Sequence, residues 1–147
     1  MLSGLNTLEK VKFTFRANTS ILKENKFIKN YPRGEKLLRI MNYNIKENKI
    51  KEFQEFIKKN EKTKAAHAPK GWKYLGTYFY VLGFGPYHAA VMWEITDYAD
   101  LDALRDHNDP IFWNIIEQFL DLTAHEPTPG WLLREVGDTQ ITEPKKP

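Results

Sequence analysis

Residues Leu37 to Phe56 read LLRIMNYNIKENKIKEFQEF, and the rhythm of their apolar positions changes midway. Leu37, Met41, Tyr43 and Ile45 alternate with Leu38 and Ile40, the period of an extended strand whose side chains point to opposite faces. Arg39 falls on the first face, and Asn42 and Asn44 on the second. After the polar run Lys46-Glu47-Asn48-Lys49 the spacing lengthens. Ile50, Phe53, Phe56 and Ile57 then form a helical apolar stripe with Lys and Glu between them. A strand over 36–46 therefore turns sharply into a helix that ends before Pro69. Both faces of that strand carry apolar residues, which predicts cover on both sides.

Working outward, residues 72–84 (WKYLGTYFYVLGF) are dominated by aromatic and β-branched side chains and predict a second strand. Simple alternation puts Trp72, Tyr74, Tyr78 and Tyr80 on one face, and Leu75, Thr77, Phe79 and Val81 on the other. Gly76 interrupts the run as a bulge would. Gly83-Phe84-Gly85-Pro86 predicts a hairpin connection, and residues 87–95 a third strand. Asp100 to Arg105 is helical. Asp109-Pro110 restarts a helix, because Pro suits a first helical position. Ile111, Phe112, Ile115, Ile116, Phe119 and Leu120 give that helix a broad apolar face up to about Thr123. After Pro127-Thr128-Pro129-Gly130, residues 131–136 predict a short fourth strand. The order is strand, helix, strand, strand, helix, strand. This is the α+β, ferredoxin-like βαββαβ plan, a four-stranded antiparallel sheet with helices on one face. Apolar residues on the other face predict a homodimer through the sheet, with the N-terminal arm as the competing cover.

The 147 residues divide into an N-terminal extension (1–35), the ferredoxin-like domain (36–137) and a polar, mobile tail (138–147). In the extension, Leu5, Leu8, Val11 and Phe15, then Ile21, Leu22, Phe27 and Ile28, predict two short helices with Thr7 and Asn18-Thr19-Ser20 as caps. Residues 1–33 carry seven Lys or Arg against two acids. Such an arm suits an anionic partner; the preferred reading is a solvated arm that docks on its own body, with nucleic acid not expected. With 41% hydrophobic and 14% aromatic residues the chain can fill a core. The absence of Cys excludes disulfides, thiolate metal sites and cysteine nucleophiles, and fits a cytoplasmic setting. No apolar run approaches the roughly 18 residues of a membrane span.

The stretch from Leu38 to Phe53 resembles the opening of dimeric α/β-barrel proteins, in which a Tyr near the end of the first strand precedes a short turn, a Lys and a helix with an early Phe. The NIPSNAP-like and antibiotic-biosynthesis-monooxygenase-like branches are the most similar. Arg105-Asp106-His107-Asn108-Asp109-Pro110-Ile111-Phe112-Trp113 is similar to the second helix of that family. The resemblance spans about residues 36–137. It implies a homodimer with a small-molecule pocket between sheet and helices, in a family whose members range from cofactor-free monooxygenases, isomerases and haem-degrading enzymes to non-catalytic binders. Fold does not choose among them.

On this plan the pocket candidates are Tyr78 and Tyr80 on the second strand, Trp93 on the third, and Trp113 beside His107 on the last helix. His67, in the loop after the first helix, either closes over them or is a simple exposed histidine. Aromatic walls with few polar groups suit a small apolar or aromatic ligand. For catalysis, His107 is the candidate acid or base, with Tyr43 or Asn42 as polar anchor. His67, His88, His107 and His125 show no metal-ligand spacing, so no metal is expected. Haem held by one of these histidines is a further possibility, and a non-catalytic interaction protein that uses its basic arm is the rival reading. The Asp97–Asp109 carboxylates fit helix caps, since the central Gly and closing Glu of a calcium loop are missing.

Overall fold

The computed structural model describes residues 36–125 and 128–134. The two expected N-terminal helices, the polar tail and the far end of the expected fourth strand lie outside the described residues. The elements follow the expected order: β1 (Leu37–Tyr43), α1 (Ile50–Ala66), β2 (Trp72–Phe79), β3 (Ala89–Ile95), α2 (Ala99–Asp106), α3 (Pro110–Asp121) and β4 (Gly130–Arg134). The strands form one sheet in the order β2-β3-β1-β4, and every neighbouring pair is antiparallel. This is a ferredoxin-like α+β fold in which the crossover from β3 to β4 is split into two helices. No helix among the described residues is long and apolar enough to cross a membrane.

Local chemistry explains the joints. The turn after β1 closes through Lys49 N–H donating to the Lys46 carbonyl at 3.1 Å. Asn48 takes the left-handed conformation there, at φ 62°, which Asn tolerates better than most residues. The same end of β1 is tied to the end of α3. Lys46 N donates to the Leu122 carbonyl at 3.0 Å, and Ala124 N to the Asn44 carbonyl at 2.7 Å. At the start of α3 the Asp109 carboxylate accepts from Ile111 N at 2.8 Å and Phe112 N at 3.1 Å, with Pro110 in the first turn. These bonds satisfy two of the free donors of a helix start.

The strands are shorter than the sequence suggests. β1 stops at Tyr43, and β2 stops at Phe79. The hairpin is wider than Gly83–Pro86, closing through Tyr80 N to the His88 carbonyl at 3.0 Å and Phe84 N to the Val81 carbonyl at 2.9 Å. His88 accepts from Ile45 N through Nδ1 at 2.9 Å.

The main correction concerns the faces of β2. Tyr74 pairs with Trp93, but Gly76, not Leu75, pairs with Met92. Leu75 is one extra residue, a bulge, and Gly76 sits beside it at φ 144°, a conformation that suits glycine. The bulge reverses the alternation. Trp72 and Tyr74 face the helices together with Thr77 and Phe79, while Tyr78 pairs with Ala90 on the opposite face. Simple alternation had grouped Trp72, Tyr74 and Tyr78.

The core lies between the sheet and the helices. Phe53 of α1 is completely buried against Phe119 of α3 and Phe79 of β2, with ring centroids 5.2 and 5.9 Å away. Trp93 sits at the centre of the sheet and touches Trp72, Tyr74 and Phe112. On the opposite face Ile40 and Ala90 are buried, while Tyr78, Trp131 and Leu133 are exposed.

Candidate functional site

The layer between sheet and helices holds a charge where the pattern of α1 leads one to expect a hydrophobe. Phe53, Phe56, Ile57 and Asn60 recur at three- and four-residue steps, and the next position on that stripe is Lys64. Lys64 is only 3% exposed. Its ammonium lies 4.1 Å from the centroid of the Tyr74 ring, and 5.7 Å from those of Trp93 and Phe119. Electron-rich ring faces attract a cation, most strongly when water is excluded. The ion pairs among the described residues leave Lys64 out. Burial pulls its pKa down to about 8, partly opposed by the Glu61 carboxylate less than one helical turn away. Lys64 was missed in the sequence because it reads as one more wet-face lysine. The signal that would have found it is its place at i+11 from Phe53.

Two phenols line the same layer. The Tyr74 hydroxyl and Thr77 Oγ1 share a hydrogen bond of 2.6 Å. Burial pushes Tyr74 up to about 12, with the Thr77 bond acting the other way. Tyr43 stands edge-on to Phe119 at 4.8 Å, and burial pushes it also to about 12, against the pull of Arg39. Both phenols keep their protons at neutral pH.

Three of the expected site residues, with Asp109, form one network at the joint between α1 and α3. His67 Nδ1 is 2.7 Å from Asp109 Oδ2. His107 Nε2 is 2.7 Å from the His67 carbonyl. Trp113 Nε1 donates to the His107 carbonyl at 2.7 Å. A carbonyl only accepts, so His107 Nε2 carries a proton. An ionised carboxylate only accepts, so His67 Nδ1 carries one too, which leaves Nε2 of neutral His67 as a lone-pair acceptor. The bond from His67 holds the Asp109 carboxyl below the usual carboxylate range, helped by the backbone N–H groups of Phe112 and Ile111. His107 stands edge-on to Phe112 at 5.0 Å, and Phe112 touches Trp93, so this network adjoins the ring layer.

Asp109→Ala is expected to lower the melting temperature, because it removes the α3 cap and the His67 anchor together. Asp109→Asn should keep most of that stability, since Asn caps nearly as well as Asp. Thermal unfolding of the two variants side by side checks this. Equal losses would show that the His67 link, not the cap, holds the joint.

The remaining candidates are elsewhere. Asn42 is 1% exposed on the opposite sheet face. Its Nδ2 donates to the Pro129 carbonyl at 3.0 Å, its Oδ1 accepts from the Tyr80 hydroxyl at 2.6 Å, and its backbone carbonyl accepts from Thr128. That arrangement ties β1 to the hairpin and to the approach to β4. Tyr78 is exposed on the same face as Asn42. The structure thus brings His67, His107, Trp113 and Trp93 together on the helix side with Tyr43 further along the layer. It separates Asn42, Tyr78 and Tyr80 from them.

The architecture has solved counterparts. A NIPSNAP-family protein of Agrobacterium tumefaciens superposes with a TM-score of 0.57 at 15% identity, over 75% of this chain and 93% of that one. A second NIPSNAP-family protein of the same organism, of unknown function, gives 0.51 at 16% identity, over 70% and 88%. A Nitrosomonas europaea protein described as an antibiotic biosynthesis monooxygenase gives 0.51 at 14% identity, over 75% and 99%. The chain shares the fold of the NIPSNAP and antibiotic-biosynthesis-monooxygenase branch. At these identities the likeness concerns fold alone. No family model and no curated protein matches the sequence.

Proposed function

We propose that this NIPSNAP-like chain binds a small aromatic or apolar molecule in the layer between sheet and helices. The observation that carries the reading is the set of rings from Tyr74, Trp93 and Phe119 arranged around the Lys64 ammonium. A core that serves packing alone gains nothing from a buried cation, which costs solvation that the rings return only in part. Ring walls with a few polar groups fit the general chemistry of small-molecule sites. The likeness to the Nitrosomonas europaea protein makes monooxygenation the first reaction to try on any ligand found, ahead of isomerisation. If the ligand is a substrate, His67 is better built than His107 as a base, because Asp109 orients its ring and leaves Nε2 to accept a proton.

Calorimetric titration with 2-naphthol tests the reading. Saturable binding with a Kd below about 100 μM is expected, weakened about tenfold or more in a folded Trp93→Leu variant, which is about 1.4 kcal/mol. Heats that never saturate would mean that the layer is a filled core. Haem is the alternative occupant, with His67 Nε2 as axial ligand. A haemin Soret shift that His67→Ala abolishes would replace the aromatic reading.

The proposal extends to assembly. Trp131 at 46% and Leu133 at 48% exposure leave apolar area on the sheet face away from the helices, which suits a self-complementary two-fold interface. Light scattering at micromolar concentration should give a dimer for the native chain and a monomer for Leu133→Glu. A monomeric native chain would sink this part of the proposal.

A further inference from the structure

We infer that Lys64 is a reactive amine that captures small apolar aldehydes as imines within the helix–sheet layer, an inference that rests on the ligand reading above. The geometry is the warrant. A primary amine at the end of a four-carbon stem is buried to 3% exposure and lies over three aromatic rings. The ring faces favour an apolar partner, and the dry surroundings favour a product that has lost its charge. The other lysines of α1 contrast with it: Lys51, Lys58, Lys59 and Lys62 are exposed. Lys64 is thus set apart from its neighbours by environment.

The chemistry balances without any oxidant or reductant. The neutral nitrogen attacks the carbonyl carbon, and the π pair moves to oxygen. The carbinolamine then loses water, taking both N–H hydrogens of the amine and the carbonyl oxygen, and leaves the C=N bond. Only the neutral amine is a nucleophile. With a pKa of about 8, roughly half of Lys64 is neutral at pH 8; an ordinary exposed lysine is neutral to about 0.3% at that pH. The titratable groups nearest the amine are Glu61, which opposes this neutrality, and Tyr74, which stays protonated. Restricted access works against the chemical advantage, so the net gain in rate is smaller than the ratio of neutral fractions.

The test uses the full chain at pH 8 with butanal and cyanoborohydride, which reduces the imine to a stable secondary amine. Peptide mapping by mass spectrometry then gives a rate for each lysine. Lys64 is expected to be alkylated at least about tenfold faster than Lys62 or Lys70, and saturating 2-naphthol should slow Lys64 alone. Labelling of Lys64 no faster than its exposed neighbours overturns the proposal, as does labelling that 2-naphthol leaves unchanged. Naphthol binding that survives beside an unreactive Lys64 would remove the amine chemistry and leave the ligand site standing. Loss of both would remove the two together.

Discussion

Phe53→Ala is expected to lower the free energy of unfolding by about 3–5 kcal/mol, the range for deleting a buried phenylalanine ring. Phe53 is completely buried, and its ring meets Phe119 of α3 and Phe79 of β2. It is therefore the point where both long crossovers and an outer strand converge. Truncation removes the transfer free energy of the ring and leaves a space that three different elements would have to close together. Against the 5–15 kcal/mol typical of a native domain, that is a large fraction of the whole. Urea titration of the native and variant chains measures it. A loss under about 1 kcal/mol would mean that α1 collapses onto the sheet and that the core is far more plastic than its rings suggest.

The second large effect is one of sign. Lys64→Met is expected to stabilise the protein near neutral pH, and the advantage should fade as pH rises. Lowering the Lys64 pKa from 10.5 to about 8 corresponds to roughly 3 kcal/mol against the charged form in the folded state. Below pH 8 both folded and unfolded chains hold the proton, and the folded chain bears the full penalty. Between pH 8 and 10.5 the unfolded chain binds more protons than the folded one, so stability rises with pH. Above 10.5 both are neutral and the penalty is gone. The stability difference between Lys64→Met and the native chain should therefore shrink by about 2–3 kcal/mol from pH 7 to pH 10. Urea midpoints at several pH values decide it. A difference independent of pH would mean that Lys64 is not held in a dry, uncompensated site. Methionine matches the lysine stem in length, so packing changes little in this comparison.

The sequence carries the order of elements clearly because local periods carry it. Alternation in 37–43, the helical stripe from Phe53 and the Asp109-Pro110 start all survive in the folded chain. Two kinds of information do not survive a local reading. One is phase: a single extra residue at Leu75 reverses every later side chain of β2, and only the pairing with β3 reveals it. The other is partnership over distance. The His67–Asp109 contact joins positions 42 apart in the chain, and no spacing rule reaches that far. Lys64 stands between these cases. Its place on the apolar stripe was readable, but lysine so commonly marks the wet face of a helix that residue type outweighed position.

The extra residue in β2 also bears on how chain length can vary. In a regular strand, losing one residue moves everything beyond it to the wrong side of the sheet. Here the pairings Tyr74–Trp93 and Gly76–Met92 flank Leu75, and Leu75 has no counterpart of its own on β3. Removing it would restore an unbroken ladder while leaving Trp72, Tyr74, Thr77, Tyr78 and Phe79 on the sides they already occupy. The outer strand therefore contains one position at which a deletion and the preservation of the core are compatible, and relatives one residue shorter there can keep the same set of inward rings.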